Sequence, residues 1–434
     1  MERIEIGFAG LALLLALIGI RVPIGAAMGG TAFVGIWAMM GWKPAFGITK
    51  AIPFHLIGDW NLSAIPMFLF MGFIAVEAGL TRGLFGAARI LLARIPGGLA
   101  SSTVVASALF ASASGSSVAT AAAFSRIAVP EMLQSKYNTG LATGSVAAAG
   151  TLGALIPPSV LMIVYGLLLD TSISTLFVAG IIPGILTAVA FIALITIRCS
   201  LNPNLAPRVT VSVTPQEKRA LIADAWPLPV LILGVMGGIF SGIFTATEAG
   251  AVGAFLAFML ALLRGRLNMT ILRKSLIDTA SGTSEIFIVV LGAALFSRFI
   301  ALATIPDFVV GLFDGYSTMV VLLMICLLYL AMGAFLETIS IMLLTLPILG
   351  PVLAAHDVNL IWFGILTIKL LEIGLITPPM GMNVFVIKSS MGDRVSLGQI
   401  FQGVSWFILA DLLTLALLVL FPAITLWLPQ MMGS

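Results

Sequence analysis

Leu155-Ile156-Pro157-Pro158-Ser159 and Leu375-Ile376-Thr377-Pro378-Pro379 each place two adjacent prolines inside a long apolar segment. Proline lacks an N–H and its ring clashes with the preceding turn, so each pair breaks a helix. The pairs lie 221 positions apart in a chain of 434, close to half its length. A polar residue stands 41 positions upstream of the first proline of each pair, in a segment containing small residues. It is Ser116 in Ser112-Ala-Ser-Gly-Ser-Ser117, and Glu337 in Gly333-Ala-Phe-Leu-Glu-Thr338. Helices broken at matching places in both halves of a membrane protein point to a transport site.

The composition sets the class. The chain is 60% hydrophobic and 9% charged, which fits a polytopic membrane protein and not a soluble domain. Backbone groups in lipid must be satisfied internally, so the spans are helices or a closed barrel. Continuous apolar runs such as Leu11–Ile20, Leu228–Ile243 and Leu412–Leu428 select helices. The 44 glycines suit close helix packing in a membrane. The longest polar stretch, about Arg198–Ala225, reads as a linker. Cys199 and Cys326 are far apart, without metal-ligand spacing, so neither a disulfide nor a metal site is expected from them. Arg21 and Pro23 lead the first apolar run straight into a second, so the first helix is expected to be a retained signal-anchor.

The expected spans of the first half are 6–20, 22–41, 52–79, a hairpin at about 98–130, a broken helix at about 138–169, and 173–197. The second half gives 225–244, 246–264, 279–303, a hairpin at about 317–353, a broken helix at about 359–388, and 400–428. The fold class is therefore all-α: two inverted repeats, 1–197 and 225–434, joined by a cytoplasmic linker at 198–224. Each repeat has about five crossings, one re-entrant hairpin and one diproline break, and an odd crossing number inverts the second copy. Gly25 opposite Gly250, and Met67–Gly72 opposite Phe287–Gly292, agree with a duplication.

Charge placement supports the inversion. With a periplasmic N-terminus, Arg21, Arg82, Arg89, Arg94, Lys136, Arg198, Arg208, Lys218 and Arg219 fall on the cytoplasmic side. Arg264, Arg266, Arg273, Lys274, Lys388 and Arg394 fall there too, while Asp170, Asp307, Asp314 and Asp357 fall outside. Lys43 and Lys50 are the exceptions. Segments 43–62 and 265–280 are more polar and suit arms lying along the interface.

The serine cluster at Ala111–Phe124 is too polar for a lipid-facing helix and suits a hairpin tip. Hard cations prefer oxygen ligands. A first sodium cage is expected from Ser114, Ser117 and the backbone near Gly153, Ile156 and Pro158. A second is expected from Gly333, Glu337, Gly374, Thr377 and Met380. The alternative for the serines is simple helix packing. The substrate-contacting set comprises Ser116, Thr120, Arg126, Arg298, Glu337 and Asn383. Arg298 could instead pair with a glutamate, and Arg126 could sit at the cytoplasmic interface. Lys369 and Glu372, three apart on one helix, are expected to pair locally. No phosphate-binding Gly-x-x-x-x-Gly-Lys-Ser/Thr loop, Gly-x-Ser-x-Gly elbow or His-Glu-x-x-His pair occurs, so ATP hydrolysis and intramembrane hydrolysis have no sequence basis. An ion channel or another kind of ion-coupled carrier is the competing reading.

Four stretches resemble the large membrane subunit of TRAP (tripartite ATP-independent periplasmic) transporters. They are Ser114–Met132, Gly150-Thr-Leu-Gly-Ala-Leu-Ile-Pro-Pro-Ser159, Gly242-Ile-Phe-Thr-Ala-Thr-Glu-Ala-Gly250 and Leu371–Asn383. Glu337 stands where the family commonly has aspartate, and Ala246 where it frequently has proline. The resemblance implies a sodium-driven elevator in a bacterial inner membrane, carrying a small organic acid such as sialic acid or a C4-dicarboxylate. It implies a small four-span membrane subunit and a periplasmic substrate-binding protein as partners. The coupling ion is Na+, no cofactor is expected, the surroundings are phospholipid, and no nucleic-acid partner is implied. The protein is expected not to be an enzyme.

Overall fold

The structure is a computed structural model and describes residues 2–207 and 214–432. Arg208 of the linker lies outside the described residues. Among the described residues the ordered elements are all helical. The first half runs α1 (Arg3–Gly19), α2 (Ile24–Met40), α3 (Trp42–Ile57), α4 (Ala64–Glu77) and α5 (Gly83–Leu92). Then come α6 (Gly98–Ser114), α7 (Ser117–Gln134), α8 (Thr139–Leu155), α9 (Val160–Leu168) and α10 (Ile173–Leu201). After α11 (Pro215–Ala225), the second half runs α12 (Pro227–Phe240), α13 (Ala246–Leu263), α14 (Met269–Leu302) and α15 (Ile305–Phe313). It closes with α16 (Thr318–Gly333), α17 (Thr338–Ala355), α18 (Leu360–Gly374), α19 (Met382–Met391), α20 (Leu397–Leu420) and α21 (Ala423–Met432).

Among the described residues, seven helices are long and apolar enough to cross a membrane, or eight if α8 and α9, bent by 44°, form one span. Shorter apolar helices such as α2 and α16 pack among them. The helix pairs α6–α7 and α16–α17 stand at the positions of the expected hairpins, and both diprolines interrupt helices.

Two expected spans and one expected arm differ in detail. The 52–79 span is divided: α3 stops at Ile57, Gly58 and Asp59 turn the chain, and the Asp59 carboxylate accepts the Asn61 N–H at 2.8 Å. The polar segment 265–280 is no separate arm from Met269 onward, because α14 continues unbroken for 34 residues. Its Lys274 is held by Glu77 of α4 at 2.8 Å. The 400–428 span breaks at Phe421-Pro422, where proline cannot continue α20. Trp37, Trp42 and Phe46 form an exposed aromatic cluster around the α2–α3 turn, a composition suited to a membrane interface.

Packing comes in matched pairs. Helix α2 lies on α14 as α13 lies on α4. Helix α6 lies on α8 as α16 lies on α18, and α7 meets α19 as α17 meets α9. Helix α8 meets α20 as α18 meets α10. The α2–α14 contact is backbone against backbone: a Cβ on Gly292 would lie 2.2 Å from the Gly25 carbonyl oxygen, so only glycine fits.

Candidate substrate and ion site

The two hairpin tips are built alike. Helix α6 ends at Ser114, and Gly115 adopts φ +60°. Ser116 is extended, and its hydroxyl accepts the Ala119 N–H at 3.3 Å. In the second tip Glu337 accepts the N–H groups of Ile339 and Ser340, both at 3.0 Å, and the Ser340 hydroxyl at 2.8 Å. Ser116 and Glu337 are thus both N-caps of the returning hairpin helix. Their equal spacing from the diprolines places each at the start of the helix that packs across the other half's broken span.

Pro157–Pro158 and Pro378–Pro379 are both cis. The first break is buried, whereas Pro378, Pro379 and Met380 are exposed. The second break is bridged by the Asn383 N–H, which donates to the Leu375 carbonyl at 3.0 Å.

Between the tips lies a cavity of about 380 Å³. Ser114–Ala119 of the first hairpin and Glu337–Ile339 of the second meet there. Broken-helix residues Ala154, Val160, Glu372, Leu375 and Met382 add a second wall, and α4 and α14 close it with Gly72, Phe73, Gly282 and Glu285. The charged side chains of the lining are three carboxylates, Glu285, Glu337 and Glu372; no lysine or arginine contributes. The N-termini of α7 and α17 open onto the same space and carry partial positive charge. The α17 end holds the Glu337 carboxylate, while the α7 end is capped by the neutral Ser116 and carries the Glu372 carboxyl group on its Ser117 hydroxyl.

The structure gathers the residues of the first expected cage. A Cβ on Gly153 would lie 3.1 Å from the Ser117 nitrogen, and one on Gly115 would lie 3.9 Å from the Pro158 carbonyl oxygen. Ser114 bonds to Thr120 at 3.1 Å. Ile156 turns its side chain toward Gly184 of α10. In the second cage Gly333 and Gly374 touch directly, since a Cβ on Gly374 would lie 2.5 Å from the Gly333 Cα. Thr377 folds back so that its N–H donates to the Gly374 carbonyl at 3.1 Å, while Met380 is exposed beyond it.

Of the expected substrate set, Ser116 and Glu337 line the cavity. Thr120 is buried beside it, donating to the Ser116 carbonyl at 2.8 Å. Asn383 is buried with its Nδ2 toward the Ala147 carbonyl at 3.3 Å, and its Oδ1 has no hydrogen-bond partner. Arg126 and Arg298 are exposed and do not line the cavity, because each projects from an outward face of its helix.

The local Lys369–Glu372 pair is not formed. Glu372 instead accepts the Ser117 hydroxyl across the cavity wall at 2.6 Å, tying the second half's broken helix to the first half's tip. Lys369 turns the other way, to Asp411 of α20. Sequence reasoning passed over Asp411, although an aspartate within the apolar run Trp406–Leu420 is itself a signal.

Comparison with known proteins follows the same lines. Residues 11–424 match the family described as the tripartite ATP-independent periplasmic transporter, DctM component. The chain is 33% identical to the sialic acid TRAP transporter large permease SiaM of Vibrio cholerae, over 86% of this chain and 87% of that protein. It is 34% identical to the C4-dicarboxylate TRAP transporter large permease DctM of Pseudomonas aeruginosa, over 88% of each. Among solved structures, the Alcanivorax borkumensis YdaH transporter shares the fold at TM-score 0.59 and 13% identity, covering 96% of this chain and 98% of that one. Relatives of this kind are named as permeases and not as enzymes. The chain belongs to the DctM family of TRAP transporter large permeases, and is a multi-pass membrane protein.

Proposed function

We propose that this chain is the carrier subunit of a sodium-driven uptake system for a small organic acid. The observation that carries the reading is the cavity lined by three carboxylates and no basic side chain. An anionic substrate cannot settle there at low cost unless cations enter with it. At about 4 Å and an effective dielectric near 20, each uncompensated like-charge contact costs about 4 kcal/mol. Monovalent cations bound at the two tips would remove that repulsion, which is the physical content of coupling.

Ser114, Ser117, Gly153, Ile156 and Pro158 form the proposed first sodium site, and Gly333, Glu337, Gly374, Thr377 and Met380 the second. The substrate then lies between them, with its carboxylate toward the N-terminus of α7 and Ser116. The names of the relatives support an organic acid: sialic acid and C4-dicarboxylates for two of them. By membership of the family, a small membrane subunit and a periplasmic substrate-binding protein complete the system in a bacterial inner membrane. The matched packing supports two inverted repeats, 1–197 and 225–434, and the placement of the basic residues supports a periplasmic N-terminus. The packing also supports an elevator in which hairpins and broken helices slide as one body past α2, α4, α13 and α14.

Uptake by cells or vesicles holding the complete system tests the reading. Uptake should saturate with substrate and fall at least tenfold when potassium or choline replaces sodium. Full uptake without sodium overturns the coupling, and flux that does not saturate marks a channel instead.

A further inference from the structure

Away from the cavity, α10, α18 and α20 enclose a second polar cluster. Lys369 of α18 is 2% exposed, Asp411 of α20 is 0% exposed and Thr187 of α10 is 1% exposed. The Lys369 ammonium donates to Asp411 Oδ1 and to Thr187 Oγ1, the latter at 3.0 Å. Thr187 spends its own proton on the Pro183 carbonyl at 2.9 Å, so its lone pairs face the ammonium. The Phe191 ring lies 5.8 Å from Lys369 Nζ, offering its negative face. Asp411 Oδ2 is buried without a hydrogen-bond partner.

A buried ion pair is a poor route to stability, since apolar residues of equal volume serve as well or better. Its position within the membrane-spanning helices therefore asks for a functional account. The oxygens that accept from the ammonium are Oδ1 of Asp411 and the hydroxyl of Thr187, and the second carboxylate oxygen of Asp411 is buried without a partner. That donor set, hard and anionic, is what a free monovalent cation would select. Lysine occupies it with a charge that cannot leave.

We propose that Lys369 is a tethered cation, filling an oxygen-lined position between α10, α18 and α20 that otherwise takes an exchangeable monovalent cation. The position contributes charge to the carrier and no ion to the transport stoichiometry. One turn along α18, Glu372 reaches Ser117, so a fixed charge at Lys369 holds the cavity end of that helix the same way whether or not ions are bound. The inference concerns a site separate from the cavity and does not rest on its sodium coupling.

Removing the lysine side chain while leaving Asp411 in place is the test. The full-length chain carrying Lys369→Ala is purified in choline chloride, and its thermal unfolding is followed as methylammonium is added. Unfolding should begin several degrees below wild type and recover saturably by about 4 °C with methylammonium. Wild type and the double variant Lys369→Ala/Asp411→Asn should not respond. Lys369→Gln, which leaves a smaller opening, is the second variant. The proposal is overturned if neither single variant responds more than the double variant. It is equally overturned if only the double variant can be recovered, since Asp411 then needs a neutral environment and not a cation.

Discussion

Ser117 donates its proton to Glu372, and Thr377 donates its own to the Ile373 carbonyl at 2.7 Å. Each hydroxyl is left with free lone pairs, the state a cation ligand requires. Ser117→Ala and Thr377→Ala are each expected to raise the sodium concentration for half-maximal uptake about tenfold, the equivalent of one lost oxygen ligand at ~1.4 kcal/mol. Glu372→Gln keeps the shape of the side chain but not its charge. Its uptake should show the same direction of sodium dependence, with correct membrane insertion checked in parallel. An unchanged sodium response in all three variants would remove the first tip and Thr377 from the site. At this scale the sequence was readable where a polar group sat among small residues, as at Ser114, Ser117 and Glu337. It was unreadable where the facing of a side chain decided the matter. Arg126 and Arg298 are ionisable residues in helices, yet their helical faces point outward. Lys369 and Glu372 share a helix but diverge by their rotation about its axis, which a spacing of three does not fix.

The hairpins and broken helices touch through glycine. Gly374→Val would drive a branched side chain into the Gly333 backbone, already 2.5 Å from where a Cβ would stand. Overpacking of this kind costs about 1–3 kcal/mol, so a lower unfolding temperature and reduced uptake are expected. Gly237→Ala, where no neighbour lies within 4 Å of the added carbon, is the matched control and should leave both unchanged. If Gly374→Val unfolds like wild type, the second tip does not depend on this contact. The elements themselves were legible because proline and glycine act through the backbone, independently of tertiary context. The errors lay where a local break competed with apolar continuity. Gly58-Asp59 ends α3 within the more polar segment 43–62, inside the expected span 52–79, and nothing in the polarity of 265–280 breaks α14.

For the whole molecule, the decisive relation is between α2, α4, α13 and α14 and the body formed by the hairpins and broken helices. Cysteine pairs joining the cavity face of α4, at Phe73 or Val76, to the first tip at Val118 should cross-link in the arrangement described. Cys199 and Cys326, both free, are replaced beforehand. A second family of pairs, displaced along α4, should also cross-link and should trap the carrier in its other state. A single rigid arrangement accounting for every cross-link would end the elevator reading. The proposed inversion of the halves rests on charge placement, which needs no knowledge of contacts, since basic residues report sidedness along the whole chain. The cavity was not visible, because it depends on contacts between residues such as Ser117 and Glu372 that are distant in sequence. The capping of both tips has one further consequence. Ser116 and Glu337 already serve the first turns of α7 and α17, so any ligand that draws their oxygens away frays a helix as it binds. Affinity at the tips is then partly a local unfolding equilibrium, and amide hydrogen exchange at Ala119, Ile339 and Ser340 becomes a direct gauge of occupancy.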